Sequence, residues 1–63
     1  MFRRGDIVQT EALPDYLARV LHRDPENEGW YRIMISRPYH KPIYLDIHGD
    51  TMVHQHYGHW NEA

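Results

Sequence analysis

Sixty-three residues, no cysteine and a formal net charge of −2 restrict this chain to a small domain without disulfides. The length excludes doubly wound sheets and (β/α)₈ barrels, which need several times as many residues. We expect one domain over residues 1–63, with short tails at 1–4 and 61–63. The apolar runs are too short for a membrane helix or a signal peptide, so a cytoplasmic location is expected.

Glycine and proline recur at short intervals along the chain, a pattern typical of a small all-β domain. The expected strands are residues 6–11, 16–23, 30–36, 43–48 and 51–57. The clearest is 43–48, where branched apolar residues alternate with polar and aromatic ones. Residues 48–51 are expected to form a tight turn in which Gly49 can adopt a positive φ. Residues 51–57 would then return antiparallel to 43–48.

The segment 14–23 fits two structures. As a helix, it places its apolar residues on one face. As a strand, it places Val20 and His22 on the face opposite Arg19. The polar loop 24–29 leads directly into the next strand and suits a hairpin, which favours the strand. The alternative is an α+β fold with a short helix at 14–23.

The five strands and the late turn resemble an SH3-like barrel. More narrowly, the chain is similar to the YccV-like, or heat-shock protein Q, family of hemimethylated-DNA-binding proteins over about residues 5–57. The matching residues are Gly5, Val8, Tyr16, Leu17, Val20, Asp24, Pro25, Trp30, Tyr31, Tyr44 and Leu45. The resemblance implies a non-enzymatic binding module whose partner is hemimethylated DNA or a cytoplasmic ATP-dependent protease. It implies no particular DNA-contacting residue.

Histidines near the C-terminus form a candidate metal site. His54 and His56 are at i and i+2 of an expected strand and therefore share a face, and His59 or His48 would complete three ligands. Three imidazoles suit Zn²⁺ with an open fourth position. The alternative is a surface strand and polar tail whose histidines bind no specific ligand.

Arginines interleaved with aromatic residues are the candidate contacts for a nucleic acid or a protein partner. The candidate binding residues are Arg19, Trp30, Arg32, Arg37, Tyr39 and Lys41. A net charge of −2 opposes duplex DNA, whose binding depends on phosphate neutralisation. The alternative is that the arginines pair with carboxylates on an exposed sheet face, namely Asp15, Glu26, Glu28 and Asp46.

A protein partner is the other expected class. The loop 37–42 presents an aromatic ring, an imidazole and two cations, and its two prolines reduce the entropy lost on binding. The chain has more aromatic residues than a small core needs. The candidates for an exposed aromatic groove are Tyr16, Trp30, Tyr39, Tyr57 and Trp60.

Catalysis is not expected. The chain has no cysteine nucleophile and no phosphate-binding glycine loop, and only Asp46 and His48 share a strand face as an acid–base pair. We therefore expect a small non-enzymatic binding or adaptor module. The first alternative is a protein-only inhibitor or regulator, and the second is a protein that binds zinc through its histidine cluster.

Overall fold

The structure, a computed structural model, describes residues 1–55, which form five antiparallel strands in one sheet. The strands are β1 (Ile7–Thr10), β2 (Leu17–Arg23), β3 (Trp30–Ile35), β4 (Ile43–His48) and β5 (Met52–His54). Their order in the sheet is β4-β3-β2-β1-β5, with a 3₁₀ turn at Gly49–Thr51 between β4 and β5. The predicted small all-β, SH3-like fold is confirmed. Among the described residues, no helix is long and apolar enough to cross a membrane.

Alternation along the strands places the core on one face of the sheet. In β3, the side chains of Tyr31, Ile33 and Ile35 are buried and the residues between them are more exposed. The buried apolar residues are Val8, Ala18, Val20, Tyr31, Ile33, Ile35 and Met52. Partly buried apolar residues pack around them, namely Phe2, Leu13, Tyr16, Ile43, Leu45 and Ile47. We call the opposite side of the sheet the outer face, and it carries the candidate binding residues of the strands.

The ambiguous segment forms the central strand of the sheet. β2 pairs with β1 on one side and with β3 on the other, so the helix alternative at 14–23 is wrong. Ala18 and Val20 enter the core, whereas Arg19 between them is exposed. A helix here would leave the facing backbone groups of β1 and β3 without ladder partners.

A β-bulge changes the face of one residue in β2. Val20 pairs with Ile33, but the next pair in the register is His22 with Arg32, which leaves Leu21 as the extra residue. His22 therefore lies with Arg32 on the outer face. The predicted placement of His22 on the face of Val20 is wrong, because strict alternation ends at the bulge.

β5 pairs with β1, so the prediction that residues 51–57 return against the strand 43–48 is wrong. The 3₁₀ turn directs the chain away from β4. His48 Nδ1 accepts a hydrogen bond from the Asp50 N–H at 3.1 Å, and the Thr51 hydroxyl donates to the His48 carbonyl at 2.7 Å. Residues 56 and 57 of the predicted strand lie outside the described residues.

Gly49 lies close to two aromatic rings. Its φ is not positive, contrary to the role suggested by the sequence. A Cβ at this position would lie 3.1 Å from the Tyr31 ring and 3.4 Å from the Phe2 ring. Phe2 itself packs edge-on against Tyr31, with ring centroids 5.5 Å apart. The N-terminal segment and the 3₁₀ turn therefore meet over the Tyr31 end of the core.

Candidate functional site

The candidate binding residues are spread along the sheet. Arg19 and Arg32 lie on the outer face of neighbouring strands, with Trp30 at the start of β3 and Arg19 beside its other end. Tyr39 and Lys41 are exposed in the loop after β3. A six-residue strand is about 17 Å long, so this loop lies far from Trp30. The structure therefore does not bring the six residues into one compact surface.

Arg32 forms an ion pair with the neighbouring strand β4. Its Nε donates to Asp46 Oδ1 at 2.6 Å, and its Nη2 donates to Asp46 Oδ2 at 2.9 Å. This bidentate contact raises the pKa of Arg32 above its ordinary value. The pairing alternative is thus confirmed for Asp46. Within residues 1–55, the other three proposed carboxylates, Asp15, Glu26 and Glu28, form no ion pair.

Arg37 organises its own loop. Its Nη2 donates to the Lys41 carbonyl at 3.4 Å, and its Nε is buried without a hydrogen-bond partner in the described part of the chain. The His40 N–H donates to the Arg37 carbonyl at 3.3 Å and closes a turn with Tyr39 at φ 64°. The loop therefore presents the fully exposed Tyr39 ring on a defined turn, while the Arg37 guanidinium is turned toward the backbone.

Trp30 is supported from one side by His48. The two rings pack edge to face at right angles, with centroids 5.6 Å apart, and Trp30 remains 41% exposed. His48 approaches so closely that a Cβ on Gly29 would lie 2.8 Å from its Nε2. Gly29 also has a φ of +86°, a conformation that favours glycine, and an added Cβ would have to displace the imidazole. The loop before β3 thereby fixes the position of the imidazole that supports Trp30.

A groove of about 470 Å³ lies beside Trp30. Its lining residues are Glu11, Ala12, Trp30, Asp46, Ile47, His48 and Thr51. They come from the end of β1, from β3, from β4 and from the 3₁₀ turn, which only the folded chain brings together. Aromatic and aliphatic groups line the groove, and the carboxylate of Glu11 contributes a negative charge. Such a groove can bind an apolar segment that carries a cation.

Comparison with known proteins identifies no relative of this chain. No protein-family model, curated protein or solved structure matches this chain. The resemblance to the hemimethylated-DNA-binding family therefore stays a prediction.

Sequence reasoning found Trp30 but missed the rest of the groove. Glu11 and Ala12 follow a strand and show no local pattern that distinguishes them from any other loop residues. Thr51 was assigned to a hairpin turn. The sequence itself identifies the tryptophan as a candidate binding residue. Which residues surround the tryptophan depends on which strand ends lie next to it in the fold.

The proposed acid–base pair is not formed. Asp46 is paired with Arg32, and His48 Nδ1 accepts the Asp50 N–H. Although Asp46 and His48 share the outer face of β4, each has a different partner.

His54 ties the end of β5 to the N-terminal segment. Its Nε2 lies 2.8 Å from Asp6 Oδ2, and the Phe2 ring packs against its imidazole at a tilt of 37°, with a centroid distance of 4.5 Å. The described residues contain no group of three His, Cys, Asp or Glu side chains that could hold a metal ion. His56 and His59, the other two proposed zinc ligands, lie outside the described residues, as do Tyr57 and Trp60.

Acid is expected to destabilise the fold through Asp6 and Asp24. The Arg3 N–H and the His54 side chain hold the pKa of Asp6 below its ordinary value. The Asn27 side chain and backbone N–H groups of the same turn lower the pKa of Asp24. Since an unfolded aspartate titrates at about 3.9, the unfolded chain takes up protons first. Stability that is present above about pH 4 is therefore lost as the pH falls through the folded-state pKa values.

The measurement is the midpoint of urea unfolding from about pH 7 to about pH 2, for the wild type and Asp24→Asn. The wild-type midpoint should fall below about pH 4. The midpoint of the variant should fall less, because the oxygen of its side-chain amide accepts hydrogen bonds and does not titrate in this pH range. A midpoint that is constant or rises on acidification would contradict the expectation, and so would an equal decline in the variant.

Proposed function

We propose that this protein is a non-enzymatic adaptor that binds an extended segment of a partner protein in the groove beside Trp30. The observation that carries the proposal is the partly exposed Trp30 ring, held by His48 at the wall of a 470 Å³ groove. Partly exposed aromatic rings in preformed grooves are the usual anchors of protein interfaces. The proposed setting is the cytoplasm, which suits a chain without cysteine.

Charge favours a protein segment over duplex DNA at this surface. The Arg32 charge is compensated by Asp46, and the Arg37 guanidinium faces its own loop. The groove beside Trp30 is bordered by the carboxylate of Glu11, and the whole chain has a net charge of −2. A duplex would have to approach this negative charge without several free cations beside the groove to neutralise its phosphates. The resemblance stated above implies a DNA or a protein partner, and the groove chemistry supports the protein.

The groove suits a segment in an extended conformation. Proline or aliphatic side chains can pack on Trp30 and Ile47, and a lysine or arginine of the segment can pair with Glu11. Proline-rich segments bind such aromatic-lined grooves at low entropic cost, because they are extended before binding. The expected partner motif is therefore a short proline-containing stretch with a neighbouring basic residue.

The test is a titration of the isotope-labelled protein with a proline-rich peptide that ends in arginine. We expect the largest amide shifts at Glu11, Trp30 and Thr51. Trp30→Ala should weaken binding roughly 30-fold, the loss of about 2 kcal/mol typical of an aromatic anchor. Tyr39→Ala removes a more exposed aromatic ring from the loop beyond the other end of β3 and should leave the affinity unchanged.

Three outcomes would contradict the proposal. The first is wild-type affinity in Trp30→Ala, and the second is an equal loss in Tyr39→Ala. The third is a short DNA duplex that binds the same groove more tightly than the peptide does, with an affinity that falls steeply with salt. That result would assign the surface to nucleic acid. Glu11→Gln serves as a further check, since it should weaken binding only to peptides that carry the terminal arginine.

A further inference from the structure

A second groove, of about 450 Å³, lies between the N-terminal turn and β2. Its lining residues are Arg4, Gly5, Arg19, Val20, Leu21 and His22. Two arginines and a histidine therefore border one concave surface, and no acidic residue within 1–55 lines it. We call it the basic groove. It shares no residue with the groove beside Trp30.

The fold builds the basic groove from two local features. Gly5 N–H donates to the Val20 carbonyl at 2.7 Å, and Val20 N–H donates to the Asp6 carbonyl at 2.9 Å, so the N-terminal turn is fastened to β2. Gly5 has a φ of +90°, and a Cβ placed on it would meet no atom within 4 Å. The groove is therefore open at Gly5. On its other side, the bulge at Leu21 brings His22 to the outer face.

The cations of the basic groove are available to a ligand. Within residues 1–55, neither Arg4 nor Arg19 makes a side-chain hydrogen bond or an ion pair, whereas Arg32 is paired with Asp46. His22 Nδ1 lies 3.3 Å from the Arg23 carbonyl, which can only accept, so this nitrogen is the donor of that contact. The nearby carboxylate of Asp24 is engaged by Asn27 and its own turn.

We propose that the basic groove binds the phosphate group of a phosphorylated side chain on a partner protein. A phosphate monoester offers three oxygens and nearly two negative charges, which two guanidinium groups can bind through charge-assisted hydrogen bonds. The site is a single concavity with two arginines, so it matches one phosphate. A duplex would need a continuous line of cations, and the outer face of this sheet places Asp46 beyond His22 and Arg32.

The proposal is independent of the groove beside Trp30, because the two grooves share no lining residue. A substitution can therefore disrupt one groove without changing a residue of the other. Its test is a titration of the isotope-labelled protein with a phosphoserine peptide in a glycine–serine sequence, and with the same peptide unphosphorylated. Inorganic phosphate and a short DNA duplex are the other two probes. Arg19→Gln is the variant, and Lys41→Gln is the matched control, since it removes one exposed cation that does not line the basic groove.

We expect amide shifts confined to residues 4–5 and 19–22, for the phosphopeptide and, more weakly, for inorganic phosphate. Arg19→Gln should weaken phosphopeptide binding roughly tenfold, as should Arg4→Gln, and Lys41→Gln should not. Both variants replace exposed side chains, and a thermal melt would verify that they fold. Equal weakening by Lys41→Gln or equal binding of the unphosphorylated peptide would overturn the proposal. So would tighter binding of the duplex, which would identify the ligand as nucleic-acid backbone.

Discussion

Replacing Ile33 with alanine is expected to leave most of the protein unfolded at room temperature. Ile33 is fully buried at the centre of β3, where it pairs with Val20 on one side and Leu45 on the other. Truncation of a buried isoleucine costs about 2–5 kcal/mol, because apolar contacts are lost and a cavity remains. A domain this small rarely has more than about 3–5 kcal/mol of stability in total. Circular dichroism and the dispersion of the amide spectrum would measure the loss.

Two matched variants make the Ile33 prediction specific. Ile33→Val removes one methylene and should cost about 0.5–1.5 kcal/mol, leaving a folded protein with a lower urea midpoint. Val53→Ala truncates a branched side chain that is 59% exposed on β5 and should change stability by less than about 0.5 kcal/mol. If Ile33→Ala melted as the wild type does, or if Val53→Ala were equally harmful, the assigned core would be wrong.

Replacing Gly29 with alanine is expected to cost more than the same change at Gly5. Both glycines have a positive φ, which costs an alanine about 1–2 kcal/mol. At Gly5 the new methyl group meets no atom within 4 Å, but at Gly29 it lies 2.8 Å from His48 Nε2. The added contact forces the imidazole away from Gly29 and so disturbs the support of Trp30. Thermal melts of both variants would measure the difference.

A double-mutant cycle separates the two causes at Gly29. His48→Ala removes the ring that the new methyl group would meet, so Gly29→Ala should be less harmful in that background than in the wild type. The remaining cost should equal the cost of Gly5→Ala, because only the backbone conformation is then strained. A Gly29→Ala variant as stable as Gly5→Ala, or a cycle without coupling, would show that His48 does not pack as described.

The sequence predicted most of the local structure. Strand 43–48 was predicted with the bounds that the structure has, and strand 30–36 differs by one residue at its end. These strands are evident from the sequence because alternation of apolar and polar residues depends only on neighbours along the chain. The Arg32–Asp46 pair was also among the predicted pairings, since both residues lie on the polar face of their strands. The alternation of apolar and polar residues does not reveal a bulge, and therefore the face predicted for His22 was wrong.

The candidate site was predictable only in part. Trp30 was recognised as one of the aromatic residues interleaved with arginines, and Arg19 as one of those arginines. The groove beside Trp30 also needs Glu11 and Thr51, which are distant from it in sequence. The basic groove needs Arg4, which becomes part of it only through the hydrogen bonds between Gly5 and Val20. Contacts between segments that are far apart along the chain leave no pattern in either segment alone.

The length and composition with which the sequence was first examined excluded disulfides and large folds, and the alternation of apolar and polar residues predicted most of the strands. The tertiary structure decided which strands are neighbours. β5 pairs with β1 because a 3₁₀ turn carries it across from β4, and the N-terminal turn is fastened to β2. Strand propensity arises from each residue and its neighbours, whereas pairing and grooves arise from the burial of Ile33 and the other core residues against one another. The two candidate binding surfaces are therefore properties of the folded chain.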